Sequence, residues 1–196
     1  MIAVVDYDTG NLRSVANALS RLGAEFKVTD NHKEILDAER VLLPGVGEAY
    51  TAMCKLHERG LAELIPRLTQ PVLGICIGVQ LMCKSSEEGN AECLGIFDSD
   101  VRRFKFDEGT NLKVPQMGWN SIEQLKSPLF DGLDEGSYVY YVHSFAPELC
   151  SQTIAVTNYG LDYSAALSRD NFYGTQFHPE KSGDIGSKIL ENFLKI

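Results

Sequence analysis

The chain of 196 residues, 44% apolar, with seven prolines, 17 glycines and no repeat or low-complexity tract, has the length of a single well-packed domain with insertions. Its formal charge of −9, with Arg102, Arg103 and Lys105 as the densest basic group, excludes a nucleic-acid binder. No apolar run approaches the roughly twenty residues of a membrane span. Met1 leads straight into a strand-like run, and the five cysteines contain no Cys-x-x-Cys, so the expectation is a cytoplasmic protein with reduced thiols and neither disulfide frame nor zinc site.

In chain order, Ile2 to Asp6 is a continuous apolar run of the kind buried on both faces of a parallel sheet. Asn11 is placed to N-cap a helix carrying Leu12, Val15, Ala16, Leu19 and Leu22 on one face and closed by Gly23. A strand over 25–29 leads to a short helix in which Glu34 is placed for a capping interaction. Arg40 to Leu43 forms a third strand that stops at Pro44-Gly45-Val46-Gly47, and helices near 48–59 and 61–68 return the chain to a fourth strand ending at Cys76. Four strands alternating with helices predict a doubly wound α/β fold with a mostly parallel central sheet. After the loop 85–89 the texture changes to short strands at 94–97, 101–106, 121–125 and 138–143, read as an antiparallel β extension packed on the first half. Strands at 152–158, 165–168 and 172–177 and a helix over 185–194 complete the chain.

In such sheets a site lies beyond the carboxyl ends of the strands, where both Pro44-Gly45-Val46-Gly47 and Cys76 fall. Gly74-Ile75-Cys76-Ile77-Gly78 reads as strand, sharp turn and helix, a setting that exposes the thiol and lets the helix N-terminus favour the thiolate. A core cysteine at a strand end is the competing reading. A thiolate nucleophile needs a base, and the base an orienting carboxylate. Of four histidines, His32 and His57 lie in charged helical segments, whereas His178 leaves a strand end two residues before Glu180. In extended backbone that spacing lets Glu180 turn back onto the ring. His143 admits a metal-ligand or second-base reading, but no spaced ligand cluster accompanies it and its strand neighbours read as packing, so a structural imidazole is expected. No phosphate-binding glycine loop occurs, and neither a cofactor nor a metal is expected.

Gly74-Ile75-Cys76-Ile77-Gly78-Val79-Gln80 resembles the nucleophile elbow of class I glutamine amidotransferases, Gln176-Phe177-His178-Pro179-Glu180 their histidine and glutamate motif, and Pro44-Gly45-Val46-Gly47 their oxyanion loop. Within that family, Asp6-Tyr7 with 10–15, and the segments 115–120, 140–144 and 181–182, resemble the glutaminase subunits of imidazole glycerol phosphate synthases, a likeness that spans essentially the whole chain.

The resemblance implies hydrolysis of the glutamine carboxamide through a thioester on Cys76, with His178 moving the protons and Glu180 orienting it. The backbone N–H groups of Val46 and Ile77 would form the oxyanion hole. Gly47, Gln80, Glu88, Ser144 and Phe145 would hold glutamine; Glu88, in a Glu-Glu pair, is equally readable as solvated. The ammonia would pass to a (βα)8-barrel cyclase in a heterodimer, with Asn11, Met117, Trp119, Tyr140 and Lys181 at the interface. Core packing is the competing reading for Trp119. In the first loop Asp8-Thr9 departs from the glycine and small residue usual before Gly10-Asn11. An amidotransferase feeding a different synthase and a free-standing γ-glutamyl hydrolase are the alternatives, separated from the first reading by the partner and by activity of the isolated chain.

Overall fold

The computed structural model describes residues 1–8, 11–107 and 109–196, so the Thr9-Gly10 part of the first loop lies outside the described residues. The first half alternates strand and helix: β1 (Ile2–Val5), α1 (Leu12–Arg21), β2 (Phe26–Thr29), α2 (His32–Asp37), β3 (Arg40–Gly45), α3 (Ala49–Glu58), α4 (Leu61–Leu64), β4 (Val72–Cys76) and α5 (Ile77–Met82). Short strands follow, namely β5 (Ser85–Ser86), β6 (Ala91–Glu92), β7 (Asp100–Arg103), β8 (Gln116–Ile122), β9 (Ser137–His143) and β10 (Phe145–Pro147). The chain ends with β11 (Thr153–Asn158), β12 (Asp162–Arg169), β13 (Phe172–Thr175) and α6 (Gly183–Phe193).

The central sheet has seven strands in the order β11-β12-β13-β4-β3-β1-β2. The five strands from β13 to β2 are parallel, and β12 and β11 extend the β13 edge in antiparallel pairing. Alternate residues of the parallel strands feed two separate apolar layers, as the two-residue period of a strand requires. Ala3, Val5, Val41, Leu43 and Val72 pack with α2 to α5, whereas Ile2, Val4, Leu42, Leu73 and Ile75 pack with α1, α6 and the β8-β9 ribbon. That is the expected doubly wound arrangement, with β8-β9 and a small sheet in the order β10-β7-β5-β6 added beside it. No helix among the described residues is long and apolar enough to cross a membrane.

Three local expectations are corrected. The run 94–97 is not a strand. Its amides instead bond the last carbonyls of α5 (Leu94 N to Leu81 O, Gly95 N to Cys83 O, Phe97 N to Met82 O), so its apolar side chains pack beneath a helix end that needs acceptors satisfied. Asn11 precedes α1 but makes no side-chain cap: its left-handed backbone (φ 79°) is not the extended one a cap requires, and its Nδ2 donates to Glu180 Oε1. Asn31 caps α2 by accepting from the Glu34 N–H, but the Glu34 side chain does not make the expected capping interaction, because Lys27 Nζ and Thr29 Oγ1 donate to its carboxylate instead.

Candidate active site

Strand β4 delivers Cys76 to the carboxyl edge of the sheet and α5 begins at the next residue. Cys76 holds φ 55° and ψ −107°, a backbone that side-chain-bearing residues rarely adopt and that turns the thiol out of the strand. The two glycines permit the turn by close approach. A Cβ on Gly78 would sit 1.8 Å from the Leu43 carbonyl oxygen, and one on Gly74 would meet the Gly78 backbone at 2.7 Å. In the parallel pairing of β3 with β4, Gly45 is the register partner of Cys76, so the residues that follow, Val46 and Ile77, emerge side by side. Gly47 then turns the chain at φ 105°, in the region that glycine alone enters freely.

His178 and Glu180 follow β13, the other neighbour of β4. Their contact is as expected, but its route is different. Pro179–Lys181 is one turn of 3-10 helix rather than extended chain, and it brings the Glu180 carboxylate under the ring, where His178 Nδ1–H donates to Oε1 at 2.8 Å. Both side chains are essentially inaccessible. The same Oε1 accepts from Asn11 Nδ2 at 2.5 Å, while Oε2 has no partner among the described residues. Burial opposes charge on the His178 ring, yet its electrostatic and hydrogen-bonding interaction with Cys76, together with the Glu180 hydrogen bond and charge, pushes its pKa up to about 10. The backbone of the turn is pinned to β9: His178 N donates to Tyr140 O, Ser182 Oγ donates to His178 O, and Tyr140 N donates to Ser182 Oγ.

A cavity of about 390 Å³ opens over Cys76 and His178, within the usual range of small-molecule sites. Val46, Gly47, Ile77, Gln80, Glu88, Ser144 and Phe145 all line it, so every residue expected to bind substrate or oxyanion reaches one space. Gln80 is 1% exposed; its Nε2 donates to Phe145 O and to Gln176 Oε1, both at 2.9 Å, while its own Oε1 is buried with no partner among the described residues. Glu88 is not a freely solvated carboxylate. It accepts from Ala49 N at the start of α3, and burial pushes its pKa above the ordinary range, the Ala49 bond opposing and Glu48 adding to the rise. Sequence reasoning missed Pro115 and Val142, which complete the wall, and the direct contact of Gln176 Nε2 with Cys76 Sγ at 3.7 Å. Gln176 lay in a quoted motif, but no spacing rule marks a glutamine two residues before a histidine as a partner of the nucleophile.

His143 also lines the cavity, and its packing matches the structural reading. Nδ1–H donates to Phe145 O at 2.8 Å, and the ring lies among Phe104, Tyr141 and Tyr163 at 5.1–5.4 Å between centroids. Burial, assisted by the charge on His178 and opposed by the Phe145 carbonyl, pushes its pKa down to about 4, so the ring is neutral near pH 7.

The residues expected at a partner surface lie outside the cavity, on and beside the β8-β9 ribbon. One face of the ribbon is buried through Gln116, Ile122, Val139, Tyr141 and His143. The opposite face carries Met117 (66% exposed), Trp119 (55%) and Tyr138 (59%), with Trp119 edge-on to its register partner Tyr140. Core packing of Trp119 is thereby ruled out. Val142, the register partner of Met117, carries this face into the cavity wall. Lys181 is exposed and Asn11 half-buried beside the His178–Glu180 turn.

A thiol on a strained strand-to-helix elbow, facing an imidazole held by a buried carboxylate, is an arrangement for acyl transfer through a thioester. The sequence matches the glutamine amidotransferase class-I family profile over residues 3–196. It is 53% identical over 198 aligned positions to the imidazole glycerol phosphate synthase subunit HisH of Bacteroides fragilis, covering 100% of this chain and 99% of that protein. With the HisH subunit of Escherichia coli the identity is 47% over 197 positions, at the same coverage. The chain belongs to the class-I glutamine amidotransferase family, in its HisH branch. Its fold is shared with a solved glutamine amidotransferase from Thermotoga maritima at a TM-score of 0.66 and 19% identity, covering 99% of this chain and 82% of that one.

Proposed function

We propose that this chain is the glutaminase subunit of an imidazole glycerol phosphate synthase. It hydrolyses glutamine to glutamate and ammonia, and the ammonia is used by a cyclase subunit that forms imidazole glycerol phosphate and AICAR in histidine biosynthesis. The observation that carries the reading is the Cys76 elbow facing the His178–Glu180 pair on one wall of a cavity whose remaining polar groups suit an amino acid. Cys76 as thiolate attacks the carboxamide carbon, and the backbone N–H groups of Val46 and Ile77 receive the charge that moves to oxygen. A lost donor of this kind commonly costs about 3 kcal/mol. His178, charged by its neighbours, gives its Nε2 proton to the departing amine, and the C–N bond breaks to leave a thioester. The ring, now neutral, takes a proton from water, whose oxygen attacks the thioester carbon; the C–S bond breaks and glutamate leaves. The orphaned Oε1 of Gln80, the Glu88 carboxylate and the backbone at Gly47, Ser144 and Phe145 hold the α-amino and α-carboxylate groups, which lets the site reject simple amides.

Ammonia released into water at neutral pH takes up a proton and stops being a nucleophile, so an enclosed route to the partner is needed. The exposed face of β8-β9 runs directly into the cavity wall, and we read it as the seat of a (βα)8-barrel cyclase, with Asn11 and Lys181 at the margin. The unit is a cytoplasmic heterodimer in which the whole chain acts as one glutaminase domain. With glycine at 45 and 47, the Val46 peptide is free to rotate, and partner binding completes the oxyanion hole.

The test is glutamate and ammonia release by the chain alone, then with the cyclase and its sugar-phosphate ligand. Strong activation by the liganded cyclase, lost in Cys76→Ser and His178→Ala while the complex still forms, is the expected result. High activity alone that the cyclase leaves unchanged would replace this reading with an independent hydrolase, and no activity in either mixture would point to another synthase.

A further inference from the structure

Gln176 is fully buried, and a buried primary amide is tolerated only when its donors and acceptor find partners. Here the partners dictate which way the amide points. The Phe145 carbonyl can only accept, so the nitrogen of Gln80 must face it. That nitrogen's second hydrogen then points at Gln176, so the oxygen of Gln176 must face Gln80. The nitrogen of Gln176 is left facing Cys76 Sγ at 3.7 Å, within hydrogen-bonding range for sulfur. Turning the Gln176 amide over would set two donors against each other at Gln80 and a carbonyl oxygen against the sulfur. A backbone carbonyl on β10 thus fixes, through two amides in series, an N–H at the reacting atom.

We propose that Gln176 is a catalytic residue, its side-chain N–H donating to the Cys76 sulfur and steadying the negative charge that the sulfur carries before attack and regains when the thioester is cleaved. This rests on the reading of Cys76 as nucleophile. A hydrogen bond to an ion is about twice as strong as one between neutral groups, so it favours the thiolate over the thiol. Packing alone would be served as well by an apolar side chain of similar length, without the need to satisfy an amide oxygen and two N–H groups. The other ionisable groups facing the sulfur across the cavity are His178 with Glu180 behind it, Glu88 and His143, and none of them is altered by a change at position 176.

The experiment is the rate of Cys76 alkylation by iodoacetamide as a function of pH, with the modified residue identified by mass spectrometry, in the full chain and in Gln176→Met, Gln176→Glu and Gln80→Leu. Gln176→Met is expected to slow alkylation at pH 7 by about tenfold or more. Gln176→Glu, which sets a negative charge against the sulfur, should move the whole profile to higher pH by about one unit or more. Gln80→Leu should also slow it, because the reagent does not use the amino-acid subsite and only the orientation of Gln176 has been released. Profiles superimposable on wild type in folded Gln176 variants overturn the proposal. Should those variants fail to fold, the wild type decides: the 15N-labelled Gln176 side-chain amide signal must shift with the same pH midpoint as Cys76 alkylation, and a signal that ignores that midpoint overturns it. Alkylation needs no glutamine turnover, so absent hydrolysis by the wild type, which moves the functional reading to another synthase, is a separate result from unchanged alkylation in the variants.

Discussion

Gly78→Ala isolates the physical condition on which the nucleophile elbow depends. Gly78 lies inside α5 with helical backbone, so alanine there should gain about 1 kcal/mol of helix propensity if nothing else intervened. The new Cβ, however, lies 1.8 Å from the Leu43 carbonyl oxygen and 3.0 Å from its carbon. Carbon and oxygen settle at roughly 3.3 Å, so a displacement of about 1.5 Å is required, and neither partner is a side chain that can swing aside. Leu43 is held in β3, register partner of Gly74 in β4, so the helix must move. Overpacking of this kind costs about 1–3 kcal/mol, and a backbone obstacle places the cost at the upper end. Net of the propensity gain, about 2 kcal/mol should be lost, which for a chain of this size is a fall of about 4–8 °C in Tm. A shift of about 1 Å in the residues that carry the thiol and the Ile77 amide should cost about 100-fold in kcat/KM. Thermal unfolding and glutamine hydrolysis in the presence of the liganded cyclase measure both. A variant that melts at or above the wild-type temperature with unchanged kcat/KM would refute the argument that glycine is required for close approach.

Asn11→Ala should lower kcat by several-fold to about tenfold while leaving Tm within a few degrees, because it removes one of two hydrogen bonds to Glu180 Oε1 at a half-buried position; steady-state kinetics and melting measured together check it. His143, neutral in the fold with a pKa of about 4 against 6.5 in the open chain, makes the unfolded state bind the extra proton, so stability is full above pH 6.5 and falls by about 3 kcal/mol as pH drops to 4. Urea unfolding across that window should show the slope, and His143→Gln should flatten it. Because His178 titrates near 10, the acylation rate should persist in alkaline solution and fall only as that value is approached, which single-turnover pH profiles report. Trp119→Ala should weaken the cyclase complex with little change in Tm, since the ring is 55% exposed and loses little burial; titration calorimetry beside a melt separates binding from folding.

The parallel core was legible because its strands are continuous apolar runs bounded by turn residues, and the elbow because glycines two residues either side of a cysteine have few structural meanings. What failed did so for a common reason: the sequence carries side-chain chemistry but not the destination of each backbone group. The apolar run 94–97 reads as a strand until its amides are seen to terminate α5. Asn11 has the chemistry of a cap, but its amide bonds a carboxylate 169 positions away instead. His178 and Glu180 meet through a helical turn that the Pro179 ring favours, although alternation in extended chain gives the same pairing. Trp119 and Met117 could not be assigned to a face until the register of β8 with β9 placed Tyr141 and His143 inward and Tyr140 outward.

The same register bears on how a partner could speak to the chemistry. Tyr140 is the residue at which the exposed ribbon face and the imidazole meet: its ring lies against Trp119, its carbonyl accepts from His178 N, and its N–H donates to Ser182 Oγ, which itself donates to His178 O. Both backbone groups of an outward-facing residue therefore hold the turn that carries the catalytic pair. On the other side of the cavity, Tyr7 OH donates to Pro44 O and fixes β3 up to the residue before Gly45, so the freedom of the oxyanion loop is confined to Val46 and Gly47. A cyclase seated on Trp119 and Tyr140, as proposed, would press on a rigid clamp on the histidine side, with the short peptide opposite left as the compliant part of the site. Under the proposed function, rigidity at the proton-transfer groups and compliance at the oxyanion donors would be the division needed by a subunit whose hydrolysis waits for its partner, since an incomplete hole would halt the tetrahedral step while the nucleophile stays poised.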